Sequence, residues 1–185
     1  MMDDAQRKVL LAFARATIEA KLTGGDAPPP PELDAASSRC SGTFVTLRNR
    51  GRLRGCIGRF AEGVDLVETV QDMAVAALGD PRFFHEPVTA AELPEIDIEI
   101  SVLSPMERAK DPLSLEVGVH GLLIRHGSRS GCFLPQVATD QRWTKEQFLS
   151  YCCSHKAGLP ADAWKDPAAE VFLFSAEVFG EKDSE

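Results

Sequence analysis

The 185-residue sequence lacks the features that mark a membrane or secreted protein. It contains no run of 18 apolar residues, and its N-terminal residues 1–4 are acidic, whereas a signal peptide needs positive charge. The five cysteines are odd in number and irregularly spaced, which argues against the disulfide framework of a small secreted domain. These absences predict a cytoplasmic protein that does not insert into a membrane.

The spacings typical of structural metal sites are also missing. Neither a Cys-x-x-Cys pair nor a His-x-x-x-His pair occurs, and the four histidines are dispersed along the chain. Structural zinc sites usually combine such local pairs, although ligands from distant positions also converge in some folds. The sequence therefore predicts no metal site, and it leaves the identity of any cofactor open.

The chain has no excess of positive charge. It carries 20 basic and 28 acidic side chains, a net charge of −8, and it lacks the aromatic motifs of RNA-recognition domains. This composition argues against a protein whose whole surface binds nucleic acid. Only a local group of arginines between residues 48 and 59 supports an RNA-binding adaptor, which we keep as a third functional interpretation.

Hydrophobic periodicity predicts a single domain over residues 1–185 with helices and strands intermixed. The pattern indicates an N-terminal helix over residues 1–22, a proline-rich connector over 23–38 and a core over 43–180. Within the core, a hairpin precedes a helix at Leu66–Ala77, and a half-buried strand covers residues 96–103. Because strands and helices do not alternate strictly, we expect an α+β fold, with a mostly antiparallel sheet, flanking helices and room for a smaller second lobe.

Residues 51–60 combine three glycines, one cysteine and three arginines, which points to a site. Alternation along a strand predicts two faces. One face would hold Leu53, Gly55 and Ile57, and the other would hold Arg52, Arg54, Cys56 and Gly58. We expect Leu53 and Ile57 to pack against the helix that follows.

Cys56 has three interpretations on this pattern: a nucleophile, the centre of an anion or ligand site, or a small residue that packs. Neighbouring arginines and the start of the following helix would lower the pKa of an exposed thiol. A nucleophile also needs a base within hydrogen-bond reach. His120 and His85 are the candidate bases, and His120 is equally well interpreted as a satisfied core histidine.

The other candidate residues are assigned to ligand binding. Arg54 offers a guanidinium fork suited to carboxylate or phosphate, and Gly55 and Gly58 allow close approach to the backbone. Gln136 follows a proline after an apolar strand, where its amide either enters a cleft or bonds the backbone. The turn arginines, Arg48, Arg50 and Arg52, are interpreted as a solvated strand edge.

The segment Leu53–Gly58 is similar to the signature hexapeptide of the AMMECR1 domain family. Further similar segments follow in the family's order: Asp80–Phe83, Ile98–Pro105, Val117–Leu122, Leu134–Ala138 and Lys156–Leu159. The similarity runs from about Phe44 to Phe179. The departures are Phe84–Glu86, where the family usually has a more apolar, proline-rich run, and Val119, where a lysine is common.

The resemblance implies the fold of that family and no settled activity. Prokaryotic members are often encoded with, or fused to, a Memo-like protein and a radical SAM enzyme, as the AmmeMemoRadiSam system, which implies a partnership. The leading hypothesis is a non-catalytic accessory or ligand-binding component that acts with these proteins. It would bind a small anionic ligand, a modified substrate or a partner protein at Arg54–Gly58. The alternative is an enzyme that uses Cys56 as a nucleophile.

Overall fold

The chain folds as an α+β protein with antiparallel strands and flanking helices, in a computed structural model that describes residues 2–35 and 38–184. Its contacts divide it into two compact units. The first contains the residues up to Leu103 and those from Glu177 onward, and the second is Ser104–Ala176. Residues 36 and 37 of the predicted connector lie outside the described part. No helix in the described ranges is long and apolar enough to cross a membrane.

Two helices cover one face of the first unit. Helix α1 (Asp4–Thr23) is capped by the Asp3 side chain, and it ends at Gly24, whose φ of 76° is the left-handed conformation that glycine adopts readily. Helix α2 (Leu66–Leu78) begins after Asp65, whose carboxylate accepts a hydrogen bond from the Glu68 N–H. Both predicted helices are confirmed. Each could be predicted because its local sequence combines an apolar stripe with a cap.

The sheet of the first unit contains β1 (Arg39–Asn49), β2 (Arg52–Asp65) and β3 (Ile96–Leu103), with β1 in the centre and β2 outermost. Strands β1 and β2 form the predicted hairpin. Arg50 and Gly51, with φ of 51° and 83°, form its two-residue turn, and positive φ at both positions matches the right-handed twist of the strands. Buried residues of β1 and β3, such as Val45 and Ile98, join the helices in one apolar core.

The second unit has its own core. Its strands are β4 (Glu107–Arg108), β5 (His120–His126), β6 (Arg129–Phe133) and β7 (Glu170–Gly180), the last of which ends in the first unit. Strand β7 pairs with both β4 and β5, and β5 pairs with β6. Helices α3 (Pro135–Asp140) and α4 (Lys145–Tyr151) accompany them, and α4 continues as a π-helical turn, Cys152–Lys156.

Candidate functional site

A β-bulge at Arg54 places the residues that precede it on the face of β2 opposite to the one that the sequence predicts. Leu47 pairs with Gly55, whereas the next residue, Arg48, pairs with Leu53, so Arg54 is an extra residue in the strand. Gly55 and Ile57 therefore share the core face with Leu47, and Ile57 packs against the core as predicted. Leu53 lies on the opposite face with Arg48. The prediction that Leu53 packs against α2 is wrong, because one extra residue exchanges the two faces.

Gly55 lies against the C-terminal end of α2. A Cβ atom at Gly55 would stand 2.1 Å from the Ala77 carbonyl oxygen, which leaves room only for a glycine. The prediction that the N-terminal end of α2 lies near Cys56 is wrong. Strand β2 continues to Asp65 before α2 begins, so the helix returns along the strand and brings its last turn to Gly55.

Gly58 makes room for an aromatic ring. It pairs with Phe44 of β1, and a Cβ atom at Gly58 would stand 2.2 Å from the Phe44 ring. The Phe44 ring meets Phe60 edge to face at 5.4 Å between centroids. Close packing within the protein thus accounts for this glycine, and its predicted role in ligand binding stays a prediction.

The Arg54 side chain is buried in an ion pair, and its predicted role in ligand binding stays a prediction. The residue is 3% exposed, and its Nε and Nη2 atoms donate to the two oxygens of Glu92 at 2.9 and 3.0 Å. Nη2 also donates to the carbonyl of Glu86. This pair lowers the pKa of Glu92 from 4.5 to about 2. Arg54 therefore holds the segment 86–92 against β2.

Acidic residues from other elements also pair with three further arginines between residues 48 and 59. Arg50 pairs with Glu95, Arg52 pairs with Glu86 at 2.6 Å, and Arg59 lies 3.4 Å from Asp72. Such exposed pairs add about 0 to 1 kcal/mol each to stability. These pairs also reduce the unpaired positive charge of the arginine group between residues 48 and 59, on which the RNA-binding interpretation depends.

Two side chains from the turn after α2 bind the backbone of Cys56. The Cys56 N–H donates to Asp80 Oδ2 at 2.9 Å, and its carbonyl oxygen accepts from Arg82 Nη2 at 3.2 Å. Because these two backbone groups point away from β1, Cys56 and its partner Thr46 form a non-hydrogen-bonded pair, in which side chains lie close. The Thr46 hydroxyl donates to Cys56 Sγ at 3.1 Å. We call these four residues the Cys56 cluster.

Asp80 and Arg82 hold each other in a fixed geometry. Asp80 caps the short 3-10 helix Pro81–Phe83, and its carboxylate accepts from Arg82 Nη2 at 2.6 Å. The guanidinium lowers the pKa of Asp80 to about 2, and hydrogen bonds from the Cys56 and Arg82 backbone N–H groups act in the same direction. The Asp80 side chain is buried, whereas 55% of the Arg82 side chain is exposed. The cluster therefore places the fixed, partly exposed guanidinium of Arg82 beside Cys56, which is itself partly buried.

An apolar groove borders the Cys56 cluster. It measures about 490 Å³ and is lined by Leu78, Phe83, Phe84 and Pro87 among others, with Asp80 as a shared residue. Phe84 is 78% exposed, and its ring meets the His85 ring edge to face. Phe84 and the groove form one exposed apolar surface, and contiguous apolar surfaces mark interaction sites.

His120 and Gln136, the other two predicted site residues, lie in the second unit. His120 begins β5, and its Nδ1 atom accepts a hydrogen bond from the Glu116 N–H at 3.0 Å. Gln136 lies in the first turn of α3, where its buried Oε1 has no hydrogen-bond partner among the described residues. Within the described residues, no group of three or more His, Cys, Asp or Glu side chains could hold a metal ion.

Sequence reasoning missed Asp80 and Arg82 as site residues. The signal was present in Asp80-Pro81-Arg82-Phe83, since an aspartate before a proline is a typical start of a short helical turn. That pattern predicts the turn but not its contact with β2.

The sequence of this chain matches a known protein family. The family model AMMECR1 matches residues 11–179. The chain belongs to the AMMECR1 family. An AMMECR1-family relative from Methanothermobacter thermautotrophicus is 41% identical over 94% of this chain and 93% of its own length. One from Aquifex aeolicus is 37% identical over 94% of this chain and 92% of its own.

A solved structure shares the fold of this AMMECR1 protein. The crystal structure of an uncharacterised protein from Pyrococcus horikoshii matches with a TM-score of 0.87 and 36% sequence identity, over 98% of this chain and 94% of that one. That protein is itself described as uncharacterised, so this match gives the fold and no activity.

Proposed function

We propose that this AMMECR1 domain is a cytoplasmic accessory component that binds an anionic ligand at the Cys56 cluster and acts with a Memo-like protein and a radical SAM enzyme. The observation that carries the proposal is Arg82. Asp80 and the Cys56 carbonyl hold its guanidinium in place while 55% of the side chain stays exposed. Because Asp80 balances the charge of Arg82, an anionic group would bind through hydrogen bonds from the exposed part of this fixed guanidinium, with little further loss of side-chain entropy.

The contacts of Cys56 support ligand binding over nucleophilic catalysis. A cysteine nucleophile needs a neighbour that accepts its proton. Asp80 is a weak base, because its pKa is about 2 and its oxygens already accept hydrogen bonds from Arg82 and the Cys56 N–H. The Thr46 hydroxyl donates a hydrogen bond to the sulfur, so it is not placed to accept the thiol proton. The enzyme with Cys56 as nucleophile remains the second candidate, supported by the partial exposure of the thiol.

The apolar groove beside the cluster indicates the shape of the ligand. Arg82 would bind an anionic group, and the groove lined by Phe83, Phe84 and Pro87 would hold an adjoining non-polar part. The guanidinium of Arg82 lies 5.7 Å from the centre of the Phe83 ring, so the charged and apolar surfaces are continuous. A ligand with both parts would bury more apolar surface than a simple anion.

Alkylation with a charged and a neutral reagent tests the anion site. Cys56 should react with iodoacetamide in the folded protein faster than Cys152, which is fully buried and whose pKa is raised by that burial. Replacing Arg82 with Gln should lower the ratio of the iodoacetate rate to the iodoacetamide rate at Cys56 by about threefold or more, because only iodoacetate is attracted by the cation. Because both reagents alkylate the same thiol, the ratio of the two rates does not depend on any change that the substitution makes to the reactivity of that thiol.

The matched control is Arg125→Gln, which removes an exposed cation that lies over Phe172 in the second unit. An unchanged rate ratio in Arg82→Gln would contradict the anion site. Labelling of Cys56 only after unfolding would show that ligands cannot reach the cluster.

The partnership is tested by direct association. The purified chain is titrated against a purified Memo-like protein and a purified radical SAM protein, and binding is followed by calorimetry. Arg82→Gln should weaken binding about tenfold, or about 1.4 kcal/mol, and Arg125→Gln should leave it unchanged. No binding to either protein, or equal weakening by both variants, would refute a partnership through this surface.

A further inference from the structure

The second unit contains a polar groove of about 500 Å³ that belongs to none of the features described above. Its floor is the part of β7 that pairs with β4 on one side and β5 on the other. Leu173 illustrates this, because it pairs with Glu107 of β4 and with Leu122 of β5. His120 stands at one margin of the groove, where it pairs with Ser175 of β7.

The turn before β5 determines which nitrogen of the neutral His120 ring carries the proton. The backbone N–H of Glu116 donates to Nδ1 at 3.0 Å, and the Glu116 carbonyl accepts from the His120 N–H at 2.9 Å. Since Nδ1 of the neutral ring accepts this hydrogen bond, the ring proton resides on Nε2. His120 is therefore arranged as a hydrogen-bond donor, with no free lone pair for the role of general base.

Two cations line the β4 side of the groove. Arg108 lies 3.3 Å from Glu170 and keeps an exposed side chain, and Lys110 has no ion-pair partner among the described residues. Among the described residues that line the groove, Glu107 is the one carboxylate, and Glu170 just outside the lining balances the charge of Arg108. Lys110 is therefore the cation whose charge is free for a ligand.

Two of the three serine hydroxyls that line the groove already have acceptors. The Ser104 hydroxyl donates to the Pro105 carbonyl at 3.1 Å, and the Ser114 hydroxyl donates to the Asp111 carbonyl at 2.7 Å. The side-chain donors left for a ligand are those of Arg108 and Lys110, the Nε2–H of His120 and the hydroxyl of Ser175. Several donors and few acceptors in one groove match an oxyanion.

We propose that this groove is a second ligand site of the chain, which binds the phosphate group of a small phosphorylated molecule through Arg108, Lys110 and His120. A phosphate group fits better than a carboxylate, because its three oxygens offer an acceptor to each of these three residues, whereas a carboxylate has two oxygens. The proposal is independent of the Cys56 cluster, which lies in the other unit.

Inorganic phosphate is the probe, and the backbone and side-chain NMR signals of the second unit report its binding. Saturable shifts are expected at Lys110, His120 and Ser175. Lys110→Gln and His120→Leu should each weaken phosphate binding about tenfold, which is about 1.4 kcal/mol. Acetate, the carboxylate probe, should bind more weakly than phosphate.

Lys8→Gln is the matched control, because it removes the same charge from an exposed position on α1 in the first unit. Equal weakening by Lys8→Gln and Lys110→Gln, no saturable shift, or acetate binding as tightly as phosphate would each overturn the proposal. Lys110 is exposed, so its variant should remain folded even if His120→Leu does not. Arg82→Gln should leave phosphate binding unchanged, which separates this site from the proposed function.

Discussion

Replacing Gly55 with alanine tests the close contact between β2 and α2. The added Cβ atom would stand 2.1 Å from the Ala77 carbonyl oxygen and 3.0 Å from its carbonyl carbon. Both atoms belong to the backbone, so no side-chain rotation relieves the clash. Overpacking in a core costs about 1 to 3 kcal/mol, and we expect about 3 kcal/mol because the strand or the whole helix must move.

The assay must report on the first unit. Both tryptophans, Trp143 and Trp164, lie in the second unit, so their fluorescence would follow the wrong part of the chain. Urea unfolding followed by far-ultraviolet circular dichroism includes α1 and α2, the two longest helices described. Tryptophan fluorescence in the same titration shows whether the second unit unfolds separately.

Gly79→Ala is the control for this experiment. Gly79 ends α2 with a φ of −104°, and a Cβ atom added there would have its nearest neighbour 3.7 Å away, so alanine should change stability by less than about 0.5 kcal/mol. A loss below about 0.5 kcal/mol for Gly55→Ala as well would refute the close approach of strand and helix.

Two further predictions concern the bulge and its ion pair. The pKa of Glu92 in the folded chain, about 2, lies below its ordinary 4.5, so the pair with Arg54 stabilises the fold above about pH 4.5 and this contribution is lost as the pH falls towards 2. With 23% of the side chain exposed, Glu92→Gln should lower stability at pH 7 by about 2 kcal/mol and flatten the acid dependence, and an unchanged pH profile of urea midpoints would contradict this. Ile57→Ala should cost about 2 kcal/mol and Leu53→Ala at least 1 kcal/mol less, because only Ile57 packs against the core; equal losses in urea melts would show that the bulge does not reverse the faces.

The elements that local sequence determines were predictable. Helix α2 has an apolar stripe behind the cap Asp65, and the hairpin turn has Arg50-Gly51 at positions that need positive φ. Each signal lies within a few residues of the structure it specifies. The α+β class follows from the order of such elements, so it could be inferred before any contact was known.

The contacts of the site could not be predicted in this way. Strand alternation assumes an unbroken ladder, and the extra residue Arg54 is visible only from the pairing of β1 with β2. Asp80 and Arg82 lie 24 and 26 residues from Cys56, and the glutamate that binds Arg54 lies 38 residues away. Local propensity carries no information about which distant side chain meets which strand, so the neutralising acids and the true neighbours of the thiol were missed.

The turn that binds Cys56 also affects how the protein behaves in a crowded solution. Strand β2 is the outermost strand, and an outermost strand offers unpaired N–H and C=O groups on which a strand of another molecule can grow. At Cys56 both outward groups are already occupied, by Asp80 and by Arg82. The Asp80 and Arg82 side chains therefore hinder the pairing of a strand from another molecule with β2 at this position. Arg82→Gln, chosen to alter ligand binding, would also free the Cys56 carbonyl at this edge. We therefore expect this variant to self-associate more than the native chain.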